Sequence, residues 1–256
     1  MPTETPTQNI SSQLQTQSVF ARKEMKYVLD ANQAAFLMNA AVLHLKPSDY
    51  ASSRVRSLYY DTPGFDLINR SIEAKAFKEK LRLRVYGEDT SPSATSFIEL
   101  KEKYKGIVYK RRIRMPLRYA RMFLEDPANG PANASKYLVT WRDCQIAEEI
   151  RWFMLSHGHL SPSILTSCKR ISYESLEDGL RMTFDSDLRG NVGAKSIDDS
   201  AASFPLLDED AYVMEIKCSS AIPIWLADDL SKVHAYKRPF SKCGTAYKMM
   251  KGVPIC

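Results

Sequence analysis

The pattern Glu-x-Lys occurs three times in this chain, each time inside a short segment that alternates charged and apolar residues: Glu24/Lys26, Glu99/Lys101 and Glu215/Lys217. Two further alternating segments carry arginine, Arg82/Arg84 in KLRLRVYG and Arg181/Thr183/Asp185 in LRMTFDSD. Residues two apart on a β-strand point to the same side, so each segment has one apolar face and one face of long charged side chains. Such strands leave two arrangements. Either an open antiparallel sheet keeps its charged side in water, or a curved or closed sheet brings the charged sides together around a polyanion.

Two features favour convergence. Helical segments lie between the strands and need an apolar sheet surface to cover, which leaves the charged face for the inside. The charges are also lopsided: Arg22, Lys26, Arg82, Arg84, Lys101, Lys103, Arg112, Arg170 and Arg181 stand against Glu24, Glu99, Asp185 and Glu215. Like charges ~6 Å apart at an effective dielectric of ~20 repel by roughly 3 kcal/mol per pair, so such an interior needs water, carboxylates and a multiply charged anion. A chain of phosphates fits. The whole chain agrees in sign, with 36 Lys+Arg against 30 Asp+Glu and a net charge of +6 over 256 residues, which points to an anionic partner. Aromatics are not interleaved with the basic strands as a stacking platform for single strands requires, so no nucleic acid is expected.

Residues 1–19 (MPTETPTQNISSQLQTQSV) are polar and aperiodic and read as a disordered tail, leaving 20–256 as one domain. RKEMKYVL then reads as a strand, and Asp30 to Leu45 as a helix with Asp30 as N-cap. The strand RVRSLYYD closes on Thr62-Pro63-Gly64, and a short helix or irregular stretch covers 65–76. Strands follow near 79–86, 96–103 and 106–115, then a helical pattern from Pro116 to Leu160. TSCKRISYES and GLRMTFDSD form a hairpin turning at Asp178-Gly179. An acidic loop spans 190–210, followed by the strand AYVMEIKCS, a helix from Pro223 to about His234, and a short basic helix in RPFSKCGTAYKMMK. About eight antiparallel strands with interspersed helices make an α+β fold.

Other features exclude function classes. No apolar run approaches the ~20 residues of a membrane span, and no secretory signal pattern opens the chain, so a soluble cytoplasmic protein is expected. Cys144, Cys168, Cys218, Cys243 and Cys256 lack CxxC spacing and read as reduced structural thiols. His157-Gly158-His159 lacks a third ligand and reads as a loop. Asp61-Thr62-Pro63 reads as a turn positioning a strand end, and Trp141 and Trp152 as helix packing. Of the run Lys110-Arg111-Arg112, Arg112 is expected to point inward and Arg111 to be solvated. No P-loop, Rossmann fingerprint or Ser/His/Asp arrangement appears.

Taken in order, RKEMKYVL, SLYYDTP, KLRLRVYG, FIELKEK, RISYES, RMTFDSD, YVMEIKCS and RPFSKCGTAY resemble the VTC domain, the polyphosphate-polymerase branch of the triphosphate tunnel metalloenzyme superfamily, colinearly from about Phe20 to Tyr247. The resemblance implies an eight-stranded antiparallel β-barrel flanked by helices. Its tunnel, lined by Lys, Arg and Glu, would bind nucleoside triphosphate or triphosphate with Mn²⁺ or Mg²⁺. By the same resemblance, Lys26, Arg82, Arg84, Lys101, Arg170 and Arg181 match phosphate-binding positions, with Lys103 and Lys217 beside them, and Lys242 is similar to a lysine at the tunnel mouth. Glu215 matches the carboxylate that holds the metal, and Glu24 is a second candidate ligand.

The implied reaction is transfer of the γ-phosphate of ATP to inorganic polyphosphate. The superfamily signature Glu-x-Glu-x-Lys reads Arg22-x-Glu24-x-Lys26 here, as is usual for the polymerase branch, and the missing carboxylate argues against metal-dependent hydrolysis. Cys168 departs from the Tyr that relatives often carry two residues before the arginine. Eukaryotic relatives belong to membrane complexes, whereas this chain is similar to stand-alone bacterial proteins; association with a membrane-protein partner stays open, as do a triphosphate hydrolase and a non-catalytic polyphosphate-binding module.

Overall fold

The alternating segments assemble into a single antiparallel sheet in a computed structural model of the protein. The described residues are 23–253, apart from 74–76, 106, 178, 200–201 and 220 and the side chains of 49–51. The tail expected over 1–19, Arg22, Asp178 and Cys256 lie outside them. In chain order the elements are β1 (Lys23–Leu29), α1 (Ala31–His44), β2 (Lys46–Asp61), α2 (Asp66–Glu73), β3 (Phe77–Tyr86), β4 (Thr95–Tyr104), β5 (Ile107–Pro116) and α3 (Leu117–Glu125). They continue with α4 (Gly130–Asn133), α5 (Trp141–Ser156), β6 (Ser161–Ser175), β7 (Leu180–Val192), the two-residue β8 (Phe204–Pro205), β9 (Tyr212–Cys218), α6 (Ile224–Lys232) and α7 (Lys242–Met250).

The sheet runs β1-β9-β7-β6-β2-β3-β4-β5, with β8 added on β7. It curls into a half-barrel, and Lys101 on β4 reaches across to Glu24 on β1 at 3.6 Å. The eight antiparallel strands are those expected. Among the described residues no ladder joins the edge strands β1 and β5. The free edge of β1 is taken instead by Lys237, bridged to Tyr27, and by the Arg238 N–H, which donates to the Lys26 carbonyl at 2.8 Å.

The apolar faces turn outward and are covered by helices, as the alternation required. On one flank Leu81, Leu83, Ile98, Leu100 and Ile113 pack against α3 and α5 through Phe123, Ile150 and Met154. On the other, Leu29, Met182, Phe184, Met214 and Ile216 pack against α1 and α6 through Leu37, Ala41 and Leu226. Asp30 caps α1 in a capping box with Gln33, as its position suggested. The third cluster lies on the concave face, where Cys243, Ala246 and Tyr247 of α7 meet Val55, Tyr59, Ile164, Cys168, Leu188 and Val213. Part of the lumen is therefore filled by this helix.

Several boundaries differ from expectation. β2 starts at Lys46 because 47–53, polar and without alternation, still pairs with β6 through a register shift between Pro47 and Ser52. β7 runs on to Val192, past a bulge opposite Ser167/Lys169 where Asp187 adopts φ +46. Trp141 and Trp152 are 78% and 63% exposed, since α5 buries the stripe Ile146, Ala147, Ile150, Phe153 and Met154 instead. Arg111 is tied to Glu149 of α5 rather than solvated. Cys168, Cys218 and Cys243 are buried and Cys144 is exposed. His157 Nδ1 donates to the Phe153 carbonyl of its own helix end at 2.9 Å and Nε2 lies 3.6 Å from Glu79, in keeping with a loop role. Among the described residues no helix is long and apolar enough to cross a membrane.

Candidate functional site

Strand parity places the long charged side chains on the concave face. β1 contributes Glu24 and Lys26, β9 contributes Glu215 and Lys217, and β7 contributes Arg181, Thr183 and Asp185. From the other half come Arg170 of β6, Lys80, Arg82 and Arg84 of β3, Glu99, Lys101 and Lys103 of β4, and Lys110 and Arg112 of β5. The expected site residues thus share one lumen, and three carboxylates, the buried Glu99 and Asp185 and the half-buried Glu215, organise them.

Glu99, 1% exposed, is the largest hub. Arg82 Nε donates to its Oε2 at 2.7 Å, Lys110 Nζ lies 2.7 Å and Arg112 Nε 3.3 Å from Oε1, and Arg84 Nη1 lies 3.8 Å from Oε2. Burial alone would raise the Glu99 carboxyl, but Arg82, Arg84 and Lys110 outweigh it and hold the group well below the usual carboxylate range. Arg82 also donates to the Tyr59 hydroxyl at 3.3 Å, and Arg84 to Ser57 Oγ at 2.9 Å.

Asp185 is the second hub. It takes a bidentate guanidinium from Arg170 at 2.6 and 2.7 Å and the ammonium of Lys242 at 2.5 Å. Here too burial is outweighed, by Lys242 and Arg170, so the carboxyl is held low. Lys242 is therefore a lumen residue at the start of α7, whose Ser241 hydroxyl caps the helix and accepts from Lys80 at 3.1 Å.

Glu215 is the third. Lys217 Nζ lies 2.5 Å away and Lys26 Nζ 3.9 Å, and together they override burial and keep it ionised. Lys26 also reaches Glu24 at 3.5 Å and donates to the Phe240 carbonyl at 3.0 Å. Burial lowers Lys101 against the pull of Glu24 and Glu215, and it lowers Lys110 to about 8 despite Glu99. Lys103 and Arg181 share the lumen parity but lie exposed towards strand ends, Arg181 beside Lys217 in register.

Sequence reasoning omitted Lys80, Lys110, Tyr59 and the hub roles of Glu99 and Asp185. Lys110 was readable, since it lies two residues from Arg112 and so on the same face. Lys80 was readable in the same way, two residues from Arg82, whereas Tyr59 lacked a signal, because its partner Arg82 comes from another strand.

A divalent cation needs oxygen ligands, and one or two carboxylates plus substrate phosphates suffice for Mg²⁺. Among the described residues there is no cluster of three or more His, Cys, Asp or Glu. Glu24 and Glu215 nevertheless flank Lys26 on adjacent strands. Thr183 stands opposite Glu215 and pairs with Ser172, and both hydroxyls are buried without a hydrogen-bond partner. An oxygen-rich corner with orphan hydroxyls fits a hard cation.

A curled antiparallel sheet with a basic lumen and helices outside is the triphosphate tunnel fold. The VTC domain family matches residues 21–251, nearly the whole chain, and the chain belongs to that family. No curated protein sequence matches it. Among solved structures it is similar to a Bacillus halodurans protein provisionally named an adenylate cyclase, at 14% identity and TM-score 0.50, covering 88% of this chain and 94% of that one. A Vibrio parahaemolyticus protein of the same provisional name has 14% identity and TM-score 0.48, covering 93% and 100% of the two chains. A Pyrococcus horikoshii protein has 13% identity and TM-score 0.37, covering 83% and 90%. At such identity the first of these likenesses speaks to the fold alone.

Proposed function

We propose that the chain is a polyphosphate polymerase, transferring the γ-phosphate of ATP to an inorganic polyphosphate chain held in the basic lumen. The observation that carries the reading is the convergence of Lys26, Arg82, Arg84, Lys101, Arg170 and Lys242 on one lumen where, among the described residues, Glu24, Glu99, Asp185 and Glu215 offset them. Phosphoryl transfer asks for positioning and charge neutralisation more than covalent help, and fixed arginine forks and lysines supply both. Glu215, with Glu24 beside it, would hold Mn²⁺ or Mg²⁺, which when bound neutralises the phosphate oxygens. Membership of the VTC family supports nucleotide and polyphosphate as ligands.

The test is to incubate pure protein with ATP and Mn²⁺ and follow ADP, acid-stable polymer and orthophosphate. ADP release should match phosphate in polymer. Glu215→Gln should abolish turnover and keep phosphate binding, whereas Arg82→Ala should weaken both. Orthophosphate accounting for nearly all the ATP consumed would replace the polymerase by a hydrolase; a fully active Glu215→Gln would remove the metal assignment.

A further inference from the structure

Over most of the sheet the convex face is apolar and the concave face charged. At the middle of β2, β6 and β7 this reverses. The concave side there is the apolar cluster around α7, with Val55, Ile164 and Leu188, while their neighbours Arg54, Arg56, Ser167, Arg189 and Asn191 turn to the convex side. Neither outer helix group covers this region: the α3/α5 core and the α1/α6 core lie to its two sides. What remains between them is a cleft of about 490 Å³ lined by three arginines, a size typical of small-molecule sites.

The guanidiniums are held by the turn at 87–88, the β7 bulge and Ser203 rather than by a helix. Arg54 contacts Glu88 at 3.0 Å and Asp187 at 3.2 Å, and Arg56 donates to the Gly87 carbonyl at 2.8 Å and to Glu88 at 2.7 Å. Arg189 donates to the Ser203 hydroxyl and carbonyl, both at 3.0 Å. A guanidinium has five N–H donors, so Arg56 and Arg189 each keep donors beyond these contacts. Of the two carboxylates Glu88 is the more accessible: its side chain is 72% exposed against 34% for Asp187, and it stands next to Gly87, whose φ is +90. Asp187 adopts the left-handed φ noted above, at the bulge that turns Arg189 outward.

We propose that this cleft is a second anion site, distinct from the lumen, that takes a pyrophosphate-class ligand between Arg54, Arg56 and Arg189. Planar forks match phosphate oxygens two at a time, and the hydroxyls of Ser167 and Ser203 add donors of the kind phosphate accepts. Glu88 pairs with Arg54 and Arg56, and an entering ligand displaces it to solvent.

The test is calorimetric titration of the full chain with inorganic pyrophosphate. The wild type should show a site that Arg189→Ala abolishes and Arg82→Ala, in the lumen, leaves intact. Glu88→Gln should tighten that site several-fold by removing the competing carboxylate, a gain that misfolding cannot imitate. Binding that Arg189→Ala and Glu88→Gln leave unchanged would overturn the proposal. A cleft site that persists while lumen binding is missing would overturn the lumen reading and keep this one.

Discussion

Replacing Glu99 by glutamine removes one negative charge from a position 1% exposed to solvent and leaves Arg82, Arg84, Lys110 and Arg112 facing one another. Breaking a buried ion pair by removing one partner costs about 3–5 kcal/mol, because the remaining charge is left uncompensated. Two cations ~6 Å apart at an effective dielectric of ~20 repel by roughly 3 kcal/mol, which places the loss in the same range. For a domain of this size that lowers the melting midpoint by on the order of 10 °C. The assay is urea unfolding and a thermal melt of both proteins, each with and without inorganic triphosphate at low salt. Triphosphate should restore more stability to the Glu99→Gln protein than to the wild type, since the anion supplies the charge the variant lacks. A loss below ~1 kcal/mol, the value of an exposed pair, with equal triphosphate rescue in both proteins, would refute the hub and show a lumen screened by water.

Three more outcomes follow from the same geometry. Glu99, Asp185 and Glu215 are held below their ordinary range, so below about pH 5 the unfolded chain takes up more protons than the fold; urea midpoints should fall as pH drops from about 5 to 3, Asp61 and Glu79, raised by burial, opposing this only in part. Lys110, lowered to about 8, loses its charge as pH rises through that value, so triphosphate affinity should drop on the order of tenfold between pH 7 and 9, the worth of roughly one pKa unit of interaction, and Lys110→Arg should flatten the profile in calorimetry. Asp61 accepts from the backbone N–H groups of Thr62, Leu67 and Ile68 at 2.8, 2.9 and 3.0 Å; Asp61→Ala should cost about 1–2 kcal/mol in denaturant unfolding while triphosphate binding is unchanged.

The inward direction of the charged faces was legible because period-two alternation survives in β1, β3, β4 and β9 for nearly their full length. It was less legible in β6 and β7. There Cys168, Ile164 and Leu188 are apolar on the concave side, and the bulge at Ser167/Lys169 shifts the frame. Cys168 packs in the apolar cluster with Cys243 and Tyr247 of α7, and burial raises its thiol. That α7 would enter the lumen left no local mark, since its contacts join residues about 30 to 190 positions apart along the chain. Trp141 and Trp152 misled because equal spacing on a helix shows that two side chains share a face and not which face the fold buries.

The repeated Glu-x-Lys has its explanation in register rather than in any one strand. On antiparallel neighbours two such motifs meet head to tail, so that Glu24 lies opposite Lys217 and Lys26 opposite Glu215, with every facing pair of opposite sign. The third motif follows the same rule with different partners: Glu99 lies between Arg82 on β3 and Arg112 on β5. Where the rule is broken, Lys101 faces Lys80 on one side and Lys110 on the other, and relief comes from across the lumen, from Glu24 at 3.6 Å. Within that row Lys110 is paired with Glu99 of β4 and Lys80 with Ser241 of α7, so Lys101 is the member whose charge the neighbouring strands do not satisfy. Because the hubs already orient the arginines, an incoming phosphate meets fixed donors and needs little rearrangement of them, while at the lysine row it supplies charge that the fold lacks. Lys101→Ala should therefore weaken triphosphate binding on the order of tenfold yet leave urea stability equal to or above that of the wild type, since it removes a repelled cation. A Lys101→Ala protein that is clearly less stable would show that the row is held by the fold and not by its ligand.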